Sequence, residues 1–595
     1  MQEFTTPPLV DVDPGENLTT RVWENERLHP QRAALAYRDG DTFVDITSVE
    51  FAEKVRRLAA GFIGLGIEPG SRICIFSPTR VEFTLLDYAI WAAGCATVTI
   101  YETSSPDQVE WIVGNSEATA IICATDELLK VYESQAGKLG SCKHAFTMDG
   151  DGLDRLIAAG ESVGDDEVMK RAAAVGQDDL ATLVYTSGTT GRPKGCVITH
   201  GNFVHTMHQV IGALSDVMRP GESNLMFLPL AHIFARIVQV GCVAQGMRIA
   251  YSTGIPNLVE ELSMVRPWFV FSVPRVFEKI YNSARQRAEE DGKAKIFDLA
   301  ADVAIDYSRQ RQAGRVSLKT KVLHGVFDKL VYGKLRAVFG GHLRYAISGG
   351  AALGERLGHF FSGIGLTVLE GYGLTETTAV LTVNTPQAQK IGTVGRPAPG
   401  FTIRIADDGE VLAKGPGIFQ GYWANPDATA EVLDADGWFH TGDIGELDDD
   451  GFLRITGRKK EIIVTAGGKN VAPLVLEDAI RSHPLVSQAM VVGDGRPFIA
   501  ALVTIDPEFF EAWARQHGKE GTIADLVDDP DLQAEIQQAI DAANALVSKA
   551  EAVRAFRILP VDFTIEGGEL TPTLKVKRRI VSDRYADAIA SIYES

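Results

Sequence analysis

Tyr185-Thr186-Ser187-Gly188-Thr189-Thr190-Gly191-Arg192-Pro193-Lys194-Gly195 lies between two β-prone apolar runs, Leu183-Val184-Tyr185 and Cys196-Val197-Ile198. Four hydroxyls, three glycines and a lysine separate the runs, which reads as strand, anion-holding loop, strand. Glycine lets backbone N–H groups turn toward an anion, hydroxyls add donors, and the lysine adds a point charge. The spacing is not that of a Walker loop: Gly188 and Gly191 are too close together, and Lys194 is followed by Gly195. A lone loop of this kind is a polar hairpin turn, so its meaning depends on what accompanies it.

Upstream, Phe51, Val55, Leu58 and Phe62 fall on one helical face. A turn over 64–70, a strand over 72–76, a helix over 80–93 and strands over 96–101 and 118–123 follow, an alternation that predicts an open, mostly parallel sheet. Downstream, 283–340 is long, polar and helical, read as a solvated excursion. Residues 394–455 are β-rich, with hairpin signals at Asp408-Gly409 and Asp450-Gly451. Residues 461–595 read as a compact α/β unit. It has a helix around Leu476 and Ile480, a hairpin across Gly493-Asp494-Gly495-Arg496-Pro497, and a helix opened by Asp529-Pro530 with Leu532, Ile536 and Ile540 in register.

The 595 residues carry 78 acidic and 58 basic side chains, a net charge of −20, which argues against nucleic acid as a partner. Six cysteines, none in CxxC spacing and mostly within apolar runs, predict buried free thiols rather than zinc or disulfides. Met1-Gln2-Glu3-Phe4-Thr5 has no basic, apolar leader pattern, and the most apolar stretch, 84–101, contains Asp87. The expected location is the cytoplasm, with peripheral membrane contact left open by a lipid substrate. No feature specifies an oligomeric state.

The loop 185–195 resembles the signature loop of the AMP-forming adenylating enzymes, which include acyl-CoA synthetases, luciferases and the adenylation domains of peptide synthetases. Further family motifs follow in order: Leu228-Pro229-Leu230-Ala231-His232, Tyr345-Ala346-Ile347-Ser348-Gly349-Gly350-Ala351, Glu370-Gly371-Tyr372-Gly373-Leu374-Thr375-Glu376, and Gly437-Trp438-Phe439-His440-Thr441-Gly442-Asp443. Gly457-Arg458-Lys459-Lys460-Glu461 is similar to the family hinge, and Leu570-Thr571-Pro572-Thr573-Leu574-Lys575 to the segment bearing its mobile lysine. Many relatives have Gly where this chain has Leu574, and often Asp where it has Lys460. Tyr101-Glu102-Thr103-Ser104-Ser105-Pro106 and the Lys575 neighbourhood resemble the long-chain branch. Ser272-Val273-Pro274-Arg275-Val276-Phe277 matches a family segment read as architectural.

The resemblance implies a large N-terminal domain (1–457) of α/β sheets plus a β-rich subdomain, a hinge (458–460), and a small mobile α/β domain (461–595). It implies that Thr186, Ser187, Gly188, Thr189, Thr190, Gly191 and Lys194 hold ATP phosphates. Gly349, Gly350, Ala351, Gly371, Tyr372 and Gly373 would bind adenine, with Tyr372 stacking. It gives α-phosphate contact to Thr375, Mg²⁺ to Glu376, ribose to Asp443, and ribose or phosphate to Arg458. His232 would line the acyl pocket, Lys460 would be the pivot, Gly467 and Gly468 would lie on the coenzyme A path, and Lys575 would bridge carboxylate and α-phosphate. The implied activity joins a long-chain fatty acid to coenzyme A, with ATP and Mg²⁺, through an acyl-adenylate. Two alternatives are an acyl-AMP ligase serving a carrier protein and a non-catalytic acyl- or nucleotide-binding regulator. The latter should have lost Glu376, Asp443 or Lys575, and all three are present.

Overall fold

The computed structural model describes residues 1–186, 192–571 and 574–594. Ser187, Gly188, Thr189, Thr190 and Gly191 therefore lie outside the described residues.

The alternation upstream of the loop forms a six-stranded sheet in the order His144–Thr147, Ala120–Cys123, Arg72–Phe76, Ala96–Ile100, Leu180–Thr186, Lys194–Thr199. Its first five strands are parallel and the last, leaving the loop, is antiparallel. A nine-stranded sheet stands beside it, with a parallel centre running from Thr367–Tyr372 through Tyr345–Ser348, Phe269–Ser272, Ser223–Met226 and Arg248–Tyr251 to Ala33–Asp39. Such strands are buried on both faces and read as apolar runs. The helix Val81–Ala92, buried along its whole length, lies in the core beside these sheets.

The β-rich stretch forms a five-stranded antiparallel sheet: Glu3–Thr5, Thr402–Ile405, Glu410–Lys414, Phe439–Leu447, Leu453–Arg458. Both hairpin signals turn where expected, with Gly409 at φ +85° and Gly451 at φ +81°. The edge strand Glu3–Thr5, supplied from the other end of the chain, carries no strand signal of its own.

Residues 283–340 are helical, but they are not merely solvated. Phe297, Ala304, Phe327 and Tyr332 enter a core with Phe360 and Phe361, so one face of these helices buries against the end of the large sheet. Polar composition reported the outer faces and hid the inner ones.

From Ile463 onward the buried apolar residues form two clusters of their own, around the sheet Val486–Val492, Ile499–Ile505, Val553–Ile558. All six cysteines are free and buried, except for half-buried Cys142. Among the described residues, no helix is long and apolar enough to cross a membrane.

Candidate active site

One cavity of about 3120 Å³ opens at the carboxyl ends of both parallel sheets, bounded on its far side by the small lobe. Loops after strands line it: Pro78–Arg80, Tyr101–Ser105, Thr186, Pro229, Ser252–Ile255 and Ser348–Ala351. Ligands gather at this place in open α/β sheets, because side chains and N–H groups converge there.

On the wall from the large lobe, Lys194 begins the strand leaving the loop, with its ammonium 5.0 Å from the centroid of the Tyr422 ring. The Tyr422 hydroxyl donates to Glu376 Oε1 at 2.7 Å. Glu376 sits in the short 3-10 turn Thr375–Thr377, and the buried Thr375 also lines the cavity. Tyr422, in Gly421-Tyr422-Trp423, gave no sequence signal, since a buried tyrosine looks the same whether or not it orients a carboxylate.

Three of the glycines on the cavity wall are tightly packed. A Cβ on Gly349 would lie 3.3 Å from the Phe234 ring. At Gly373 a Cβ would lie 2.1 Å from the Ala379 carbonyl oxygen, and at Gly371 it would lie 3.1 Å from that of Thr382. These two glycines let the chain cross itself and hold Tyr372 at the end of the strand Thr367–Tyr372. Gly350 and Ala351 line the cavity and are exposed to it.

Asp443 stands inside the strand Phe439–Leu447, and both of its carboxylate oxygens are taken. Arg458 Nε donates to its Oδ1 at 2.9 Å and the Tyr372 hydroxyl to its Oδ2 at 2.5 Å, while Thr441 Oγ1 accepts from its backbone N–H. Tyr372 and Arg458 line the cavity; Asp443 lies behind them.

His232 caps the helix Ile233–Gln245, its Nδ1 accepting from the Phe234 N–H at 3.2 Å. Burial, then the neighbouring charge of Lys575, push its pKa down to about 4. The ring is therefore neutral, and with Nδ1 accepting, Nε2–H is left as a donor.

Lys575 is the small lobe's contribution. It lines the same cavity, and its pKa is lowered by enclosure in the cleft and by Arg458, partly offset by Asp443, Glu461 and Glu376. The residue keeps solvent access, as a cleft that admits ligands requires. Thr571 N–H donates to the Lys575 carbonyl at 2.8 Å and Thr571 Oγ1 accepts from the Lys575 N–H at 3.0 Å, closing a tight loop. Within it, Leu574 adopts φ +61°, the left-handed region that glycine enters freely. That is the physical content of the Gly-to-Leu departure seen in sequence. Its neighbour Arg578 turns away to Glu477 at 2.5 Å.

The lobe is held in this position by charges across the gap. Arg275 donates to Asp506 Oδ2 at 2.8 Å, and Lys279 lies 2.8 Å from Glu508. The segment 272–277, read as architectural, thus carries a lobe-to-lobe clasp. Asp506 is a double-duty residue: its Oδ1 caps the helix Pro507–Gln516 while Oδ2 takes Arg275. Only the capping half is legible in sequence.

Lys460 sits in the exposed turn Lys459–Glu461. Its neighbour Lys459 is pinned by Asp408 at 2.5 Å and Glu410 at 2.9 Å, which push the Lys459 pKa up to about 12. Gly467 and Gly468 form an exposed turn outside the cavity, so the structure does not bring them to the site.

Two parallel sheets whose carboxyl ends share one cleft, closed by a small lobe that inserts a lysine, form the architecture of an adenylate-forming enzyme. A family model described as AMP-binding enzyme matches residues 22–423, and one described as AMP-binding enzyme C-terminal domain matches residues 460–595. The chain belongs to the AMP-binding enzyme family. It is 49% identical to the long-chain-fatty-acid–CoA ligase FadD15 of Mycobacterium bovis and 48% identical to that of Mycobacterium tuberculosis, each match covering 100% of both chains. The A-PCP didomain of carboxylic acid reductase from Segniliparus rugosus, in complex with AMP, superimposes with a TM-score of 0.76 at 22% identity, over 98% of this chain and 82% of that one.

Proposed function

We propose that the chain is a long-chain fatty acid–CoA ligase, converting ATP, a fatty acid and coenzyme A to acyl-CoA, AMP and pyrophosphate. One observation carries this reading: the cavity joins a charged floor at Lys194, Glu376 and Lys575 to an apolar tunnel between two helices. On the helix Ile233–Gln245, Phe234, Ile237, Val238 and Gly241 fall at i, i+3, i+4 and i+7, one face. Val210, Ile211, Leu214 and Met218 line the tunnel with them.

A carboxylate attacks an anionic phosphate poorly, so the site must cancel charge on both partners. Lys194 and Lys575 supply fixed positive charge, from opposite lobes. Thr375 donates to the α-phosphate, and Tyr372 offers its ring to adenine. Arg458 and Asp443 take the ribose hydroxyls once the Arg458–Asp443 pair yields one carboxylate oxygen. Among the described residues no group of three or more His, Cys, Asp or Glu is placed to hold a metal. The single carboxylate of Glu376 instead suits Mg²⁺, which is held by one or two carboxylates together with substrate phosphates. When bound, Mg²⁺ neutralises charge building on the departing pyrophosphate. The carboxylate oxygen bonds to the α-phosphorus as the bond to pyrophosphate breaks. The small lobe then turns about Lys460, withdraws Lys575 and brings Gly467 and Gly468 toward the path of the thiol, which displaces AMP from the carbonyl.

AMP release measured with octanoate through hexadecanoate should require ATP, Mg²⁺ and coenzyme A together and favour the longer acids. Adenylate formation without coenzyme A-dependent turnover would point to a carrier-protein acceptor instead. Absence of ATP–pyrophosphate exchange with every acid would overturn the reading.

The tunnel yields a sharper expectation. A Cβ on Gly241 would come 2.8 Å from Met218 Cε, so these two residues of the lining face each other across the apolar tunnel. Gly241→Leu should lower kcat/KM for hexadecanoate at least about tenfold while sparing hexanoate. Equal losses on both acids would show that the acyl chain runs elsewhere.

A further inference from the structure

The helix Leu318–Phe327 and the π-helical turn Asp328–Tyr332 that prolongs it place Leu318, Val322, Val326 and Leu330 four residues apart, on one face. Their exposures are 78%, 59%, 48% and 57%, although the opposite face, through Phe327 and Tyr332, is core. The Tyr332 hydroxyl donates to the Ala300 carbonyl at 2.7 Å. That bond ties the end of the stripe to the preceding helix Ala294–Gln312, on which Ile296 and Leu299 are also exposed. A continuous apolar strip on an outer surface marks an interaction site.

Its charge is as unusual as its apolarity. Residues 315–336 contain Arg315, Lys319, Lys321, Lys329, Lys334 and Arg336, against Asp328 as the one acid. Asp328 is taken by Arg336 at 2.7 Å. The other five cations are exposed and, among the described residues, form no ion pair. In a chain of net charge −20 this face inverts the local sign.

We propose that this face docks on an anionic phospholipid bilayer. The stripe enters the boundary between headgroups and acyl chains, and the lysines lay their stems along it with their ammonium groups on lipid phosphates. Charge selects this partner over a second copy of the chain. A two-fold contact through the same face would set five unpaired cations against five others, whereas an anionic headgroup layer complements them. The acidic remainder of the molecule is repelled by the same layer, so the encounter is oriented. The surface stands apart from the ligase reading, since it uses no residue of the nucleotide or acyl sites. It gives that enzyme a place beside the membrane into which long-chain acids partition.

Co-sedimentation with phosphatidylglycerol–phosphatidylcholine vesicles, without ATP, coenzyme A or acid, tests it. Binding should appear on these vesicles at low salt, weaken as NaCl rises, and be absent on phosphatidylcholine alone. The triple variant Lys319→Glu, Lys321→Glu, Lys329→Glu should bind about a hundredfold more weakly. The variant Val322→Ser, Val326→Ser, Leu330→Ser should bind at least about tenfold more weakly. Because all six positions are exposed, both variants should keep the wild-type melting curve and the wild-type rate on detergent-dispersed acid. The proposal is overturned if wild type ignores anionic vesicles at low salt, or if both variants bind as wild type does. It is equally overturned if sedimentation velocity finds a dimer that the serine variant dissolves, which would assign the face to a second copy.

Discussion

Lys575→Ala should lose ATP–pyrophosphate exchange by about a hundred- to a thousandfold and still convert supplied acyl-AMP to acyl-CoA near the wild-type rate. The split follows from where the lysine stands. It comes from the small lobe and enters a cavity whose other charges, Lys194 and Glu376, belong to the large one. Its ammonium feels Arg458, Asp443, Glu461 and Glu376 together, and in the proposed reaction it stands between carboxylate and α-phosphate. That position depends on the loop closed by Thr571 and on the Arg275–Asp506 and Lys279–Glu508 pairs. Once pyrophosphate has left, a lysine over the adenylate blocks the approach of a thiol, so the second half-reaction has no use for it. Lys577→Ala, two residues along, should leave exchange unchanged. Equal loss of both half-reactions in Lys575→Ala would show that the lysine holds the lobe together and does not stabilise the first transition state.

Asp87→Ala should destabilise the large lobe by roughly 3–5 kcal/mol, read as a shift in the urea midpoint of its unfolding. Asp87 and Arg236 are both 0% exposed and bonded at 2.8 Å, with Gln239 donating to the second carboxylate oxygen at 3.1 Å. Burial pushes the Asp87 pKa up and that of Arg236 down, so each charge is costly by itself and bearable because of the other. Among the described residues Arg236 Nε and Nη1 find no hydrogen-bond acceptor, which leaves Asp87 as the main compensation for the guanidinium, with the Trp91 ring 5.5 Å away. Removing Asp87 strands a buried cation. Replacing both partners by apolar residues of similar size should restore most of the loss, because the desolvation cost then disappears with the charges. If the double replacement is as unstable as Asp87→Ala, packing and not charge accounts for the effect. The pair also fixes the rotation of the helix Ile233–Gln245: Arg236 and Gln239 face the core helix Val81–Ala92, and Phe234, Ile237, Val238 and Gly241 face the tunnel.

The sequence by itself determined the mostly parallel sheet upstream of the loop, the two hairpins of the β-rich part, the α/β nature of the last lobe and the order of the site motifs. These are properties of short stretches, because strand and helix periodicity and turn chemistry act over a few residues. Tertiary structure alone decided which atoms answer one another. Arg275 and Asp506 are 231 positions apart, and nothing local distinguishes Asp506 from any other helix-capping aspartate. Asp443 finds its partners, Tyr372 and Arg458, 71 and 15 positions away. Polar composition over 283–340 could not say which helix faces would find a core, nor that an apolar stripe would remain outside it. The left-handed backbone at Leu574 and the meeting of Gly241 with Met218 are likewise imposed by the surrounding fold. Contacts between distant residues form only when the whole chain has paid its conformational entropy, and a linear pattern carries no record of them.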